Sequence, residues 1–234
     1  MSDDANAFQT ALALILGRDP DLVGIVMLSL QVSLSAVLIA ALIGLPLGAA
    51  LALWRFPGHG VIVVILNALM GLPPVVAGLS VYLLLSRAGP LGELGLLFTP
   101  GAMVIAQIIL VLPIIAALAR QQVEELFQEY REQLTSLGLS RLRMIPTLLW
   151  DARLGLVTVV LAGFGRASAE VGAVMIVGGN IDGVTRVMTT AIVLETSKGN
   201  LPLALGLGLV LLSLVALVNA GAYLMSETAR RRLG

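Results

Sequence analysis

Arg131-Glu132-Gln133-Leu134-Thr135-Ser136-Leu137-Gly138-Leu139-Ser140-Arg141-Leu142-Arg143 is a polar, amphipathic stretch interrupted by a glycine, and it lies between two hydrophobic runs. Ahead of the glycine, Glu124, Glu125, Gln128, Glu129 and Glu132 alternate with Leu126, Phe127, Tyr130 and Leu134, which gives a helix one polar and one apolar face. Gly138 permits a backbone turn that a side chain would hinder. Ser140 is placed to cap a second helix. A charged helix–turn–helix between membrane spans is either a solvated surface helix or the seat of a docked partner. The rest of the chain bears on that choice.

Hydrophobic residues make up 58% of the chain and charged residues 12%, with a mean hydropathy of +1.01. A soluble domain of this length does not have that balance. A helix that crosses the bilayer core needs about 20 mostly apolar residues. Leu22–Leu53, Val61–Leu85, Ala102–Ala119, Leu154–Val177 and Leu201–Met225 meet that requirement. The expected fold is therefore an all-α integral membrane protein, with a transmembrane domain over 22–226 and a cytoplasmic loop over 120–153. Gly44 and Pro46 are placed to bend the long first span. Residues 1–21 read as an interfacial segment. They open on Asp3 and Asp4 rather than the basic residues of a signal peptide, and Ala11–Gly17 is too short to cross. Residues 227–234 form a basic tail. The chain has no cysteine, which excludes disulfides and thiol chemistry, and its net charge of +0 carries no signal for nucleic acid.

An odd number of spans puts the termini on opposite sides. With the C-terminus inside, the cytoplasmic face carries Arg55, Arg120, Arg131, Arg141, Arg143, Arg153, Arg230, Arg231 and Arg232. The outer face carries Arg18, Arg87, Arg186 and Lys198. That asymmetry satisfies the positive-inside rule and turns the Gly138 loop towards the cytoplasm.

Within the fourth span, Arg166 and Glu170 place opposite charges inside an apolar segment. Each costs roughly 2.5–3.5 kcal/mol facing lipid alone. Their spacing predicts one helical face. Gly163, Gly165 and Gly172 beside them allow close helix packing. Two roles are open: a neutralised pair that holds helices together, or a pair beside a translocation path. The run Gly71–Gly78, with Pro73 and Pro74, is either a kinked stretch lining that path or a packing kink. Gln31, Asn67, Gln107 and Asn219 read as interhelical hydrogen-bonding residues. Val177–Ile192 is too polar to span and reads as a turn followed by a short outer helix starting near Thr185. The lone His59, in Phe56-Pro57-Gly58-His59-Gly60, reads as solvated. The chain carries neither a phosphate loop nor the zinc-hydrolase and serine-hydrolase motifs, so no residue is read as catalytic or metal-binding.

The central loop resembles that of binding-protein-dependent ABC-importer permeases, whose pattern runs Glu-Ala-Ala-x-x-x-Gly and closes on Ile-x-Leu-Pro. Glu132 and Gly138 fall at the glutamate and the glycine. Gln133 and Leu134 replace the alanines, and Leu148-Leu149-Trp150-Asp151 stands in the closing position without its proline. The string Gly165-Arg166-Ala167-Ser168-Ala169-Glu170-Val171-Gly172, followed by Val177-Gly178-Gly179-Asn180-Ile181 and Thr185–Ile192, is similar to the tungstate-type group of these permeases. So are Gly71–Gly78, Ser86–Gly92 and Ser197-Lys198-Gly199.

The resemblance implies the fold of the methionine- and molybdate-type permeases, with a coupling helix that fits a groove on an ATPase. It points to Glu129, Glu132, Leu137, Gly138 and Arg141 as the coupling residues. It also implies a homodimer in the cytoplasmic membrane of a bacterium or archaeon, with the N-terminus outside. An ATPase dimer would carry ATP and Mg2+, and an extracytoplasmic binding protein would deliver tungstate; this chain would hold no cofactor. The alternatives are a molybdate or sulfate permease, a passive channel, which needs no coupling loop, and an intramembrane enzyme, which needs a catalytic constellation.

Overall fold

The computed structural model describes residue 17 and residues 20–233. Almost all of the expected interfacial segment lies outside the described residues. In chain order the helices are α1 (Pro20–Leu53), α2 (His59–Met70), α3 (Pro74–Leu85), α4 (Pro100–Ser136), α5 (Arg141–Asp151), α6 (Arg153–Ser168), α7 (Gly172–Gly178), α8 (Met188–Ser197) and α9 (Leu201–Leu233). By length and composition, 3 of them are able to cross a membrane, or up to 5 crossings result if each bent helix pair counts as one.

α1 is continuous through Pro46, so the anticipated bend does not end the helix. Gly44 and Gly48 instead bring α1 against α4. A Cβ on Gly44 would lie 3.1 Å from Ile115 Cγ2, and one on Gly48 only 2.4 Å from the Ala116 carbonyl oxygen.

The expected span Val61–Leu85 is two helices. Pro73 is extended and Pro74 occupies the first position of α3, where the missing N–H costs nothing. The helix that carries the expected third span does not stop at Ala119, because α4 runs on unbroken to Ser136. Falling hydropathy marks a change of solvent, whereas the backbone hydrogen bonds that propagate a helix are indifferent to it. α5 and α6 meet at Ala152 with their axes 79° apart. The expected fourth span, Leu154–Val177, breaks between Ser168 and Gly172.

The helices distribute over two compact units. The first contains the chain up to Ser35 with Pro73–Gln107 and Ala167–Val218; the second contains Ala36–Leu72, Ile108–Arg166 and the chain from Asn219. In the first unit Leu22, Met188, Ala191 and Leu207 form an apolar cluster. In the second, Ala49, Ala52 and Leu53 of α1 pack with Val123 and Leu134 of α4 and with Met144 and Leu148 of α5.

His59 is corrected as well. It is buried, its Nε2 lies 2.8 Å from the Leu51 carbonyl oxygen, and its ring meets Phe56 edge-on. Leu51 sits in the last turn of α1, whose carbonyls lack helical partners. The imidazole supplies one.

Candidate functional site

In the second unit, α4 ends in a glycine turn built from three backbone bonds. Leu137 N–H donates to the Gln133 carbonyl at 3.1 Å, Gly138 N–H to Thr135 at 3.0 Å, and Leu139 N–H to Leu134 at 3.3 Å. Gly138 has φ +67°. A residue in the left-handed region followed by a bond reaching five residues back is the Schellman termination, and it normally carries an apolar contact across it. Leu139 makes that contact, packing against the cluster that holds Leu134.

Space is not the constraint at Gly138. A Cβ there would meet nothing within 4 Å, so the requirement is conformational. Ser140 then adopts an extended conformation (ψ 151°) and begins α5, with its carbonyl accepting from Arg143 and Met144 and no side-chain cap.

The turn displays what the apolar cluster does not bury. Leu137 is 74% exposed and Leu142 69%. Glu129 and Glu132 lie exposed on the last turns of α4, and Arg141 lies exposed at the first position of α5. The expected coupling residues therefore fall on one hairpin: Glu129 and Glu132 on α4, Leu137 and Gly138 in the turn, and Arg141 on α5. Behind them, Glu124 is held by two arginines, Arg55 on Oε1 and Arg120 on Oε2. Local spacing reveals only the Arg120–Glu124 part of that set, because Arg55 and Glu124 are 69 positions apart.

Arg166 and Glu170, expected on one helical face, fall on either side of a helix end, since α6 stops at Ser168 and Glu170 lies beyond it. Arg166 is half-buried in the last turn of α6. Glu170, 3% exposed, lies in the break, where its Oε1 accepts the Ala173 backbone N–H at 2.9 Å and its carbonyl accepts the Thr189 hydroxyl at 2.7 Å. The carboxylate thus satisfies one of the open amides at the start of α7.

α7 lies directly on α3. A Cβ on Gly78 would fall 2.7 Å from the Ala173 Cα, and one on Gly172 would fall 3.1 Å from Val75 Cγ2. Gly163 is crowded by Val111 and Ile115 within the second unit, while Gly165 has open space. Pro73 is exposed and Pro74 half-buried at the start of α3.

Beside the break is a cavity of about 20 Å³ lined by Ser29, Ser33, Gln107, Ser168, Glu170 and Thr189, with apolar neighbours. That is room for about one water. Gln107 Nε2 donates to the Ala167 carbonyl at 3.2 Å, an interhelical bond, while its Oε1 is buried without a partner. Of the expected path residues, Glu170 lines this cavity; Arg166, Pro73 and Pro74 do not.

The outer helix starts at Met188 rather than near Thr185. Thr185 belongs to the turn, where its hydroxyl donates to the Gly178 carbonyl at 2.6 Å and accepts the Ile181 N–H at 2.9 Å. At the far end of α8, buried Glu195 accepts Lys198 Nζ at 2.9 Å and Asn200 Nδ2 at 3.1 Å. The lysine hydrogen bond holds the Glu195 carboxyl below its ordinary value; burial opposes this, and Asn200 and the charges of Lys198 and Arg186 assist it. The i,i+3 spacing of Glu195 and Lys198 was a legible signal that composition-level reading passed over.

Several helices able to cross a membrane, a polar hairpin with a glycine turn and a polar break inside a span describe a multi-pass membrane protein. Comparison with known proteins places the chain more closely. No family model matches it. It is 43% identical over 216 residues to the probable anion ABC transporter permease protein of Haloferax volcanii, covering 90% of this chain and 93% of that one. It is 40% identical over 223 residues to the tungstate uptake system permease protein TupB of Peptoclostridium acidaminophilum (95% and 98% covered). It is 38% identical over 223 residues to the protein of the same name from Campylobacter jejuni (95% and 93% covered). The chain belongs to the ABC-transporter permease family, as a multi-pass protein of the inner membrane and a transport subunit.

Proposed function

We propose that the chain is the membrane subunit of an importer that carries tungstate into the cell. Two copies line the path, a dimer of cytoplasmic ATPase subunits supplies the ATP and Mg2+ chemistry, and an extracytoplasmic binding protein delivers the anion. The observation that carries the coupling part is the Gly138 hairpin, fixed from below by an apolar cluster and presenting Leu137 and Leu142 outward. An exposed pair of leucines on a polar hairpin suits insertion into another protein's groove. Two relatives named as tungstate uptake permeases, at 38% and 40% identity, support the substrate.

Arg166, Glu170, Pro73 and Pro74 are assigned to the path. A path must release what it attracts, and a carboxylate beside a cationic residue keeps an anion from being held too tightly. Exposed Leu42, Val64, Leu212 and Leu217 leave apolar surface for lipid and for the second copy. The basic residues named above support an inside C-terminus and an outside N-terminus.

The test is reconstitution with the ATPase and binding protein in proteoliposomes. ATP-dependent accumulation of tungstate, resistant to equal sulfate or molybdate, is the expected result. Preferential uptake of one of those anions would reassign the substrate, and uptake without ATP would overturn the importer reading. Because the chain lacks cysteine, Ser140→Cys and Val184→Cys report orientation with an impermeant thiol reagent. The first should label only from the cytoplasm and the second only from outside.

A further inference from the structure

A second cavity, of about 430 Å³, opens in the second unit beside the Gly138 turn. Three arginines line it: Arg55 from the segment after α1, Arg131 from the end of α4 and Arg141 from the start of α5. Glu124 is the only carboxylate in the lining, and both of its oxygens are engaged, by Arg55 and by Arg120. Arg131 and Arg141 form no ion pair among the described residues. Gln128 adds an amide donor to the lining. Positive charge in the lining therefore exceeds negative, with two guanidiniums uncommitted.

We propose that this cavity binds a tetrahedral oxo-anion, held by Arg131 and Arg141 from opposite sides of the Gly138 turn. Guanidinium is the side chain best matched to such a ligand, because its planar fork places paired N–H donors on two oxygens at once. The ligand joins the last turns of α4 to the first turn of α5, so an anion on this face acts on the turn itself. The volume accommodates a free oxyanion with its retained waters, and equally the phosphate of an anionic lipid with part of its glycerol stem. The proposal goes beyond the transport reading and does not depend on which anion is carried.

The test uses the purified full chain in nanodiscs. Trp54 adjoins Leu53 and Arg55 of the lining, and Trp150→Phe leaves it as the single tryptophan reporter. In phosphatidylcholine discs, sodium tungstate and inorganic phosphate are titrated against sodium chloride of matched ionic strength. Equilibrium dialysis with labelled tungstate counts bound anion directly. The expected result is saturable oxyanion binding that Arg131→Gln with Arg141→Gln weakens at least about tenfold without changing the melting temperature. Arg143→Gln, on the same helix but outside the lining, should leave it unchanged.

Discs containing phosphatidic acid separate the two sources. If a lipid phosphate fills the site, they abolish free-anion binding and shift Trp54 emission in an Arg131- and Arg141-dependent way. If the occupant is a free anion, binding is the same in both discs. An equal response to chloride, an equal loss in Arg143→Gln, or neither bound anion nor an arginine-dependent lipid effect would overturn the proposal.

Discussion

Gly138 and Gly78 are both glycines on which a helix junction depends, and they constrain the chain by different means. At Gly138 the surroundings are open and the demand is a backbone angle, φ +67°. At Gly78 the angle is ordinary and the demand is distance, since any Cβ would fall 2.7 Å from the Ala173 Cα. The first junction is a local device, with three backbone bonds and one apolar contact completing a turn whose polar residues stay in water. The second belongs to tertiary structure, with α3, α7 and the Glu170 break each holding the others. A turn set by a dihedral tolerates change at moderate cost. A contact between backbones does not.

The largest effect should come from Gly78→Val, because the obstacle is backbone and cannot swing aside. We expect destabilisation of about 3 kcal/mol or more, read as a fall in melting temperature in detergent. Gly208→Ala, where a Cβ meets nothing within 4 Å, should be neutral or slightly stabilising. Equal melting temperatures for the two variants would remove the distinction between crowded and open glycines.

Next comes Glu170→Ala, which leaves the Ala173 amide without its acceptor in a buried place. The cost should be about 1–3 kcal/mol. Glu170→Gln retains an acceptor oxygen and should restore the fold. Transport by that variant then separates the two roles: loss with the melting temperature preserved assigns the charge to the path, and full transport leaves Glu170 as the cap of α7 alone.

Gly138→Ala should cost about 1–2 kcal/mol through its left-handed angle, with Gly138→Asn milder, since asparagine tolerates that region. The sharper readout is stimulation of the ATPase by the permease, which should fall more than stability does. Unchanged stimulation with unchanged transport would remove the turn from the coupling role.

The smallest effect is electrostatic. Glu195 has its pKa lowered in the fold, so its contribution is present above the ordinary value of 4.5 and is lost as pH falls through the lowered one. Lys198→Met should cost less than about 1 kcal/mol at neutral pH, because Lys198 is largely exposed. The difference between variant and parent should vanish in acid. A difference that persists there would assign the effect to packing.

What was legible in the sequence was what neighbours along the chain decide. The Gly138 turn was legible because an amphipathic run, a glycine and a following serine each speak for themselves. Pro73 and Pro74 announced a disturbance, but not that the helix stops at Met70 and restarts at Pro74. A proline sets its own angle, while whether the chain resumes its direction is settled by what it packs on. The continuation of α4 past Ala119 was hidden because hydropathy reports solvent rather than hydrogen bonding.

The Arg166–Glu170 spacing gave no sign that α6 ends between the two, for a related reason. Nothing between them forbids a helix, and the break is stabilised by bonds from Thr189 and Ala173. The polar cavity drew Ser29, Ser33, Gln107 and Thr189 from distant segments, and Glu124 found Arg55 across a long stretch of chain. Such meetings are not written in local pattern.

The unbroken run of α4 has a mechanical meaning. Between Pro113 and Ser136 the helix is a stiff rod about 35 Å long. Its polar end is the end that carries the turn. Pro113 has no N–H to give, so the Ile109 carbonyl loses its helical partner and the rod has one compliant point. Along α4 the backbone is thus least braced at Pro113, so bending this helix costs least there.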